Sequence, residues 1–297
     1  MLALFLLMTL TRQSPCKVNL LLNVLGKRAD GYHELETILQ PVGLCDLLHF
    51  ERRSAGLEFT VNHPGLPADS TNLVQRAASA FLEAARIKDG VGIHLEKNIP
   101  VAAGLGGGSG NAANTLLGLN ELFGRPLSFE RLTAIAATLG SDVPFFLQDK
   151  PALATGRGER ITPLDPFPAL RGLWLLLVHP GFGISTAWAY RKLAKYPEAL
   201  AGKPGRAEHL ISLMQGTDLA AAARQFYNAL EAPALAKYPL LAMFQEFLTA
   251  NGAVAALMSG SGSTTFALVR RPDAAEGLKE KFIGHFSATC WIAVIPL

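Results

Sequence analysis

The chain has 297 residues, of which 49% are hydrophobic and 17% are charged, and its formal net charge at pH 7 is +3. This composition excludes an intrinsically disordered chain, and the small, scattered positive charge argues against a nucleic-acid-binding protein. The length predicts one large domain or two modest ones with an ample core. Three widely separated cysteines, Cys16, Cys45 and Cys290, show no metal-binding spacing and indicate a reducing, cytoplasmic compartment.

The first ten residues, Met-Leu-Ala-Leu-Phe-Leu-Leu-Met-Thr-Leu, are almost entirely apolar. They lack the basic segment and the cleavage site of a signal peptide, and a bilayer span needs about 20 apolar residues. The segment is therefore either part of a buried strand or helix, or it precedes a translation start at Met8. We favour the start at Met8, because Met8-Thr-Leu-Thr-Arg12 is an ordinary beginning for a protein chain.

The N-terminal half predicts strands followed by helices. The alternation from Ser14 to Val24 predicts a strand, and Asp30-Gly31 predicts a turn. His33 to Arg53 predicts extended structure that is interrupted at Pro41-Val-Gly43. Further strands are predicted at 57–61 and 91–96, and helices at 72–86 with Ser70 or Thr71 as N-cap, at 111–122, and at 128–139 with Ser128 as N-cap.

The C-terminal half follows an irregular stretch at 162–171 that contains three prolines and predicts a domain boundary. We therefore divide the chain into domains at residues 1–165 and 166–297. The second part predicts strands at 173–178, 253–258, 264–269 and 290–295, and helices at 184–193, 207–214, 219–229, 240–250 and 273–283. Strands and helices that do not alternate strictly are typical of an α+β fold.

The stretch Pro100-Val-Ala-Ala-Gly-Leu-Gly-Gly-Gly-Ser-Gly110 places a cluster of glycines between a predicted strand and a predicted helix. Backbone N–H groups at a glycine-rich loop and a helix N-terminus bind anions, and the missing Cβ atoms let phosphate oxygens approach. The stretch matches neither the Walker A loop, which needs a Lys, nor the dinucleotide motif G-x-G-x-x-G. It therefore predicts a different phosphate-binding loop, and the alternative is a turn that only lets a helix pack closely on a strand.

Three motifs resemble those of the GHMP kinase superfamily, which includes galactokinase, homoserine kinase and mevalonate kinase. Pro100–Gly110 is similar to its P-x-x-x-G-L-G-S/G-S/G-S-A/S loop. Ser14-Pro-Cys-Lys-Val-Asn-Leu20 resembles its N-terminal motif Pro-Ala-Lys-x-Asn-Leu, and Met258-Ser-Gly-Ser-Gly-Ser-Thr-Thr265 resembles its C-terminal Gly/Ser motif. The departures are small: Cys16 stands where Ala is usual, and Gly110 where Ser or Ala is usual.

Two further segments, Lys27-Arg-Ala-Asp-Gly-Tyr-His-Glu34 and Leu139-Gly-Ser-Asp-Val-Pro-Phe145, resemble one family of these kinases. Its members phosphorylate the 2-hydroxyl of 4-diphosphocytidyl-2-C-methyl-D-erythritol in non-mevalonate isoprenoid biosynthesis, giving the 2-phosphate and ADP. The resemblance covers the chain from about Thr9 to its end. It implies ATP and Mg²⁺ as cofactors, small-molecule partners without nucleic acid or membrane, and a monomer or weak homodimer.

The resemblance also implies a two-domain α+β GHMP kinase fold, with an N-terminal domain of the ribosomal protein S5 domain 2-like type and a ferredoxin-like C-terminal domain. It makes Asp142 the group that takes or orients the proton of the substrate hydroxyl, and Lys17 its partner, which keeps the carboxylate ionised. No residue is assigned as a metal ligand. The implied ATP-binding residues are Pro100, Val101, Ala102, Ala103, Gly104, Leu105, Gly106, Gly107, Gly108, Ser109 and Gly110.

The implied substrate-binding residues are Asn19, Tyr32, His33 and Tyr190. Asn19 lies two residues after Lys17 and so shares one face of a strand with it. By resemblance Asn19 binds the erythritol part, His33 reads the cytosine edge, Tyr32 stacks on the base, and Tyr190 closes the other side.

Each assignment has a structural alternative. Asp142 could be an ordinary capping or turn residue, Lys17 could lie on a solvent face, and Tyr32 and His33 could be ordinary turn residues. Asn72 and Lys97 could border the nucleotide, or be a helix cap and a surface charge.

Two other functions are compatible with the sequence. A relative with another alcohol substrate, such as homoserine or mevalonate, is disfavoured because the segment around Tyr32 and His33 suits a substrate with a base. A sensor without catalysis is disfavoured because Lys17, Asp142 and the glycine stretch are all present.

Overall fold

The computed structural model describes residues 9–297, and the predicted start at Met8 lies outside the described residues. The strands are β1 (Thr9–Lys27), β2 (His33–Arg53), β3 (Leu57–Val61), β4 (Gly90–Glu96), β5 (Ala152–Gly156), β6 (Arg160–Pro163), β7 (Trp174–His179), β8 (Tyr227–Asn228), β9 (Ala255–Met258), β10 (Thr265–Val269) and β11 (Trp291–Pro296). The helices are α1 (Leu73–Ala85), α2 (Gly107–Leu122), α3 (Phe129–Leu139), α4 (Thr186–Leu193), α5 (Pro197–Leu200), α6 (Arg206–Gln215), α7 (Leu219–Ala223), α8 (Glu231–Lys237), α9 (Pro239–Ala250) and α10 (Pro272–Phe286). None of the helices in this part of the chain is both long and apolar enough to cross a bilayer.

The chain forms two compact units that are interleaved in sequence. The first unit contains the described residues up to Cys16, Leu44–Ile99 and Gly106–Asp149; the second contains Lys17–Gly43, Pro100–Leu105 and Lys150–Leu297. β1 and β2 each contribute residues to both units. The division of the chain into domains at 1–165 and 166–297 stays a prediction.

In the first unit, residues 47–53 of β2 pair antiparallel with β4, and β4 pairs in parallel with β3. The helices α1, α2 and α3 pack against one another. α1 buries Val74, Ala77, Ala78 and Phe81, the three-to-four-residue spacing of one helix face. Asn72 caps α1, because its side-chain oxygen accepts a hydrogen bond from the Val74 N–H, so the predicted caps one and two residues earlier are wrong.

In the second unit, four antiparallel strands form a sheet in the order β11-β7-β10-β9. α9 and α10 pack on this sheet, and the rings of Phe244 and Phe282 meet edge-to-face between them, 4.8 Å apart. Residues 35–39 of β2 pair with β5, β5 pairs with β6, and residues 21–22 of β1 pair in parallel with β8. The mixture of sheets and packed helices confirms the predicted α+β class.

Three predicted elements differ in the structure. β2 is continuous, so the predicted interruption at Pro41-Val-Gly43 is wrong: the strand runs on between one segment that pairs with β5 and another that pairs with β4. α2 begins at Gly107, four residues before the predicted start. The helix predicted at 219–229 ends at Ala223, because Tyr227 and Asn228 pair with β1 instead.

Glu231, the first residue of α8, is a largely buried carboxylate of the second unit. Its Oε1 accepts hydrogen bonds from the Met258 N–H, at 2.8 Å, and from Gln245 Nε2, at 2.6 Å. Burial raises the pKa of Glu231 from 4.5 to about 7, although both hydrogen bonds act in the opposite direction. The carboxyl group is therefore half-protonated near neutral pH in the folded protein.

We expect Glu231→Gln to remove a pH dependence of stability. Between about pH 4.5 and pH 7 the folded protein holds a proton that the unfolded chain has released, so the free energy of unfolding falls as the pH rises through this window. As the pH rises across this window, the free energy of unfolding of the unchanged protein should fall by up to about 3 kcal/mol more than that of the variant. Urea unfolding at several pH values measures this. Glu246→Gln, at an exposed glutamate of α9, is the control, and an unchanged pH profile in Glu231→Gln would contradict the expectation.

Candidate active site

The N-terminus of α2 lies inside the glycine stretch. Gly106 occupies the cap position with φ +72°, a left-handed conformation that favours glycine, and it has no side chain with which to cap the helix. The first N–H groups of a helix have no partner within the helix, and this end of the helix carries partial positive charge. The N–H groups at this helix end are those of Gly107, Gly108 and Ser109, and the binding of phosphate there stays a prediction.

Glycine is required in the first turn of α2 by close packing within the first unit. A Cβ atom on Gly110 would lie 2.8 Å from the carbonyl oxygen of Pro15 and 3.1 Å from Ser14 Oγ. A Cβ atom on Gly107 would lie 3.1 Å from Lys97 Nζ. The glycine at position 110 is thus explained by the close approach of β1.

Asp46 holds together the strand end before the glycine stretch and the first turns of α2. Its carboxylate is fully buried and accepts hydrogen bonds from the N–H groups of Asn98 and Ile99, at 2.7 and 2.8 Å. Lys97 Nζ forms an ion pair with Asp46 at 2.6 Å, and Asn111 Nδ2 donates to it at 2.9 Å. Burial lowers the pKa of Lys97, and the Asp46 charge opposes this. The alternative of Lys97 as a surface charge is therefore wrong.

Lys17 and Asn19 share one face of β1, as predicted, and each is only 3% exposed. Lys17 Nζ donates to Asn19 Oδ1 at 2.6 Å and to the carbonyl oxygen of Gly104 at 3.0 Å. Asn19 Nδ2 donates in turn to Thr37 Oγ1 at 2.9 Å. The alternative of a solvent-facing lysine is wrong, because this ammonium group is buried and held by two acceptors.

The beginning of the glycine stretch packs against the C-terminal Gly/Ser motif within the second unit. Ser259 Oγ donates to the Gly104 carbonyl oxygen at 3.0 Å, so this oxygen accepts hydrogen bonds from both Ser259 and Lys17. The Thr264 N–H donates to the Ala103 carbonyl oxygen at 3.1 Å. The structure therefore brings parts of all three predicted motifs together around one carbonyl group.

Two of the predicted substrate-binding residues lie side by side in the second unit. The rings of His33 and Tyr190 stack with centroids 5.1 Å apart and planes inclined by 26°. Tyr32 is 53% exposed, and the guanidinium group of Arg157 lies 4.7 Å from its ring centroid. Burial, and to a lesser extent the Lys27 charge, lowers the pKa of His33, so its ring is mainly neutral at pH 7. The cytosine-binding roles of these three residues stay predictions.

Asp142 lies in the first unit, in the turn between α3 and a short 3₁₀ helix at Pro144–Leu147. It is half-buried, and the residues that follow, Val143 to Leu147, are all buried. Val143 occupies the cap position of the 3₁₀ helix, so Asp142 is not its N-cap. The catalytic role of Asp142 and its pairing with Lys17 stay predictions.

Comparison with known proteins identifies the family of this chain. Residues 72–150 match the GHMP kinases N terminal domain, and residues 198–288 match the GHMP kinases C terminal domain. A 4-diphosphocytidyl-2-C-methyl-D-erythritol kinase from Synechococcus sp. (strain JA-3-3Ab) is 43% identical over 276 residues, which cover 91% of this chain and 88% of that protein. The chain belongs to this family of GHMP kinases.

Two further relatives agree with this membership. A protein of the same name from Geobacter metallireducens (strain ATCC 53774 / DSM 7210 / GS-15) is 42% identical, and the match covers 91% of this chain and 92% of that protein. A crystal structure of a 4-(cytidine 5'-diphospho)-2C-methyl-D-erythritol kinase is 37% identical and has a TM-score of 0.77, with 97% of this chain and 100% of that chain covered. The predicted GHMP kinase fold is confirmed, and the chain is a small-molecule kinase with ATP as its phosphate donor.

The sequence does not predict several residues whose side chains hold parts of the predicted motifs within each unit. Asp46 carries a weak signal, since it is a lone charge in the apolar run Leu44-Cys-Asp-Leu-Leu48. Ser259 lies in a motif that was predicted, but its contact with Gly104 spans 155 residues of sequence and has no local signal. Asn228 falls inside the helix predicted at 219–229, so the sequence points to no contact for its side chain.

We expect Gly104→Ala to lower kcat/KM of the kinase by at least about a hundredfold. The backbone of Gly104 has φ +79°, and a Cβ atom there would lie 2.1 Å from the Ser259 carbonyl oxygen, so the loop must move. Displacement of groups that orient the reactants by about 1 Å costs on the order of 100-fold in rate.

Gly124→Ala is the matched control for this change. Gly124 has the same φ of +79°, but a Cβ atom there meets nothing within 4 Å, so both variants carry the same backbone strain and only one carries the clash. Initial rates of ADP formation measure the difference. Equal activity of the two variants would contradict the importance of this contact.

Proposed function

We propose that this kinase transfers the γ-phosphoryl group of ATP to the 2-hydroxyl of 4-diphosphocytidyl-2-C-methyl-D-erythritol. The products are the 2-phosphate and ADP, and the reaction belongs to non-mevalonate isoprenoid biosynthesis. The observation that carries the proposal is the 43% identity over 91% of the chain to a relative named for this substrate. The buried arrangement of Lys17, Asn19 and Gly104 supports it, because burial of an ammonium group is costly and the predicted catalytic role gives a reason for one at this position.

ATP binding is assigned to the glycine stretch, residues 100–110. The N-terminus of α2 supplies backbone N–H groups and partial positive charge for the phosphates, and the Ser109 hydroxyl lies in the same first turn. Gly106, Gly107 and Gly108 carry no side chains of their own, and the Lys97 ammonium group lies 3.1 Å from the position that a Gly107 Cβ atom would take. The ligand proposed for residues 100–110 is therefore the phosphate chain of ATP.

The reaction forms a bond between the substrate 2-oxygen and the γ-phosphorus of ATP and breaks the bond from that phosphorus to the β,γ-bridging oxygen. We assign the proton of the 2-hydroxyl to the carboxylate of Asp142, which either removes it or orients the hydroxyl. The ammonium group of Lys17 supplies positive charge for the charge that develops on the transferred group. Because Lys17 is buried and held by Asn19 Oδ1 and Gly104 O, it is pre-oriented before substrate binds.

Tyr32, His33 and Tyr190 are assigned to recognition of the cytidyl group. Asn19 is assigned to recognition of the erythritol part. A neutral imidazole has one N–H donor and one acceptor nitrogen, which suits the mixed donor and acceptor edge of cytosine. The stacked pair of His33 and Tyr190 offers an aromatic surface beside that edge. Homoserine and mevalonate have no base for such a surface.

The nucleotide is proposed to act with Mg²⁺. Within residues 9–297 no group of three or more His, Cys, Asp or Glu side chains could hold a metal ion, and Mg²⁺ commonly takes one or two protein ligands together with substrate phosphates and water. The Ser109 hydroxyl fits as one such ligand, and the ion would neutralise charge on the β- and γ-phosphates. We also propose that the kinase acts in the cytoplasm, as a monomer or weak homodimer, and that its three thiols stay reduced there.

The test is ADP release by the purified protein with ATP and Mg²⁺, with the cytidyl substrate, homoserine and mevalonate offered in parallel. We expect turnover with the cytidyl substrate alone. Turnover with homoserine or mevalonate instead would overturn the substrate assignment and keep the family. Binding of the cytidyl substrate without any turnover would favour a ligand sensor.

A further inference from the structure

Asn228, in the two-residue strand β8, forms hydrogen bonds to the C-terminal Gly/Ser motif within the second unit. The side chain is 2% exposed, and both hydrogens of its amide group are used. Nδ2 donates to the carbonyl oxygen of Met258 and to that of Gly260, each at 2.7 Å. Oδ1 accepts from the N–H of Leu230 at 2.9 Å. One carboxamide therefore fixes two alternate carbonyl groups of the motif.

The backbone of Asn228 is tied to the strand that carries Lys17 and Asn19. Asn228 pairs with Leu22 of β1 in the parallel register, and the Ala229 N–H donates to the Leu22 carbonyl oxygen at 2.9 Å. Asn228 therefore links β1 to the Gly/Ser motif directly.

Glu231, three residues further along at the start of α8, contacts the same segment. Its Oε1 accepts from the Met258 N–H, so Met258 is held at its N–H by Glu231 and at its carbonyl by Asn228. The segment Asn228-Ala-Leu-Glu231 thus acts as a clamp on Met258–Gly260. Loss of the amide hydrogens at Asn228 would leave two buried carbonyl groups without a donor from this side chain.

The clamped segment lies against the groups assigned to catalysis in the second unit. A Cβ atom on Gly260 would be 3.1 Å from Lys17 Nζ and 2.9 Å from the Gly104 carbonyl oxygen. Ser259 Oγ donates to that same carbonyl oxygen, which also accepts from Lys17. A shift of Ser259 and Gly260 by a few tenths of an ångström therefore changes the surroundings of the Lys17 ammonium group.

We propose that Asn228 is a positioning residue of the kinase, which holds Ser259 and Gly260 where they fix the Lys17 ammonium group and the Gly104 carbonyl. The inference rests on the proposed function for the role of Lys17. Asn228 acts through the Gly/Ser motif and not on substrate. Aspartate has the same shape but no amide hydrogens, so it would set a carboxylate against two carbonyl oxygens.

The experiment is a double-mutant cycle with Asn228→Asp and Ser259→Ala, measured as kcat and KM for both substrates, beside unfolding midpoints. We expect Asn228→Asp to lower kcat at least about tenfold, with KM for ATP within about twofold, because the α2 end of the ATP site is untouched. The double variant should be no slower than the slower of the two single variants, because Asn228 and Ser259 act through the same contacts.

Asn251→Asp is the matched control. Asn251 Nδ2 also donates to a backbone carbonyl, that of Phe247 at 3.0 Å, at the C-terminal end of α9. It should leave kcat within about twofold even where its unfolding midpoint falls. If Asn228→Asp does not fold, Asn228→Ser takes its place in the same cycle.

Three results would overturn the proposal: an unchanged kcat in a folded Asn228 variant, an equal loss in Asn251→Asp, or losses at Asn228 and Ser259 that multiply. The unchanged protein is run first with the cytidyl substrate, homoserine and mevalonate. No turnover of the cytidyl substrate in that run counts against the proposed function. The double-mutant cycle is then measured with homoserine or mevalonate, whichever the unchanged protein phosphorylates.

Discussion

Asp142→Asn lowers kcat by about 100- to 10,000-fold, the range expected when a general base is lost. Asparagine keeps the shape of the side chain but cannot take the proton of the 2-hydroxyl. The KM for ATP should stay within about threefold, because the phosphates are assigned to the glycine stretch. A loss near the lower end would indicate that Asp142 mainly orients the hydroxyl, because a dissociative transition state requires little proton removal early in the reaction.

Steady-state ADP formation with the cytidyl substrate measures this effect. Asp149→Asn, at an exposed aspartate seven residues further along the same part of the first unit, is the control and should stay within about twofold. A kcat within about threefold of the unchanged protein in Asp142→Asn would remove Asp142 from the mechanism.

Lys17→Met should lower kcat by about 100- to 1,000-fold, the size of effect seen when one preorganised electrostatic group is removed from an active site. Methionine keeps most of the aliphatic stem, so the packing within β1 changes little. The variant should also lose about 1–3 kcal/mol of stability, because Asn19 Oδ1 loses its buried donor and the Gly104 carbonyl oxygen keeps the one from Ser259 but loses the one from Lys17.

Lys279→Met, which removes a lysine of α10 that forms a surface ion pair with Glu276, is the matched control for Lys17. Surface pairs of this kind contribute little, so both the rate and the stability should be nearly unchanged. If Lys17→Met loses stability but keeps its kcat, Lys17 has a structural role only.

Local periodicity was enough for the elements whose sequence carries a clear pattern. The strand around Lys17 and Asn19 was predicted from alternation, and period 2 correctly put both side chains on one face. α1 and α3 were predicted from apolar spacing, and Ser128 was correctly identified as the cap of α3.

Other elements could not be predicted, because local propensity and tertiary contacts disagree there. Glycine has a poor helix propensity, so the sequence predicts a loop at Gly107 and Gly108, although α2 begins there. The apolar spacing after Leu219 favoured one long helix, but pairing of β8 with β1 ends it. The strand β2 was broken at Pro41 in the prediction because proline signals a turn, whereas here it lies between two pairing segments.

The candidate site was predictable where one short motif carries the residues, and not where distant segments meet. Lys17, Asn19 and the glycine stretch came from local motifs. The ion pair of Asp46 with Lys97 joins residues 51 positions apart, and the hydrogen bond from Asn228 to Gly260 joins residues 32 positions apart. Periodicity in the sequence cannot predict which distant residues form such pairs.

The most direct measurement is the phosphorus NMR spectrum of the product formed from ATP, Mg²⁺ and 4-diphosphocytidyl-2-C-methyl-D-erythritol by the purified protein. The account predicts one new phosphate monoester signal, on the 2-oxygen, in equal amount to the ADP formed, with the two diphosphate signals of the substrate retained. ADP formation without this monoester, or a monoester on another hydroxyl, would contradict the proposed reaction.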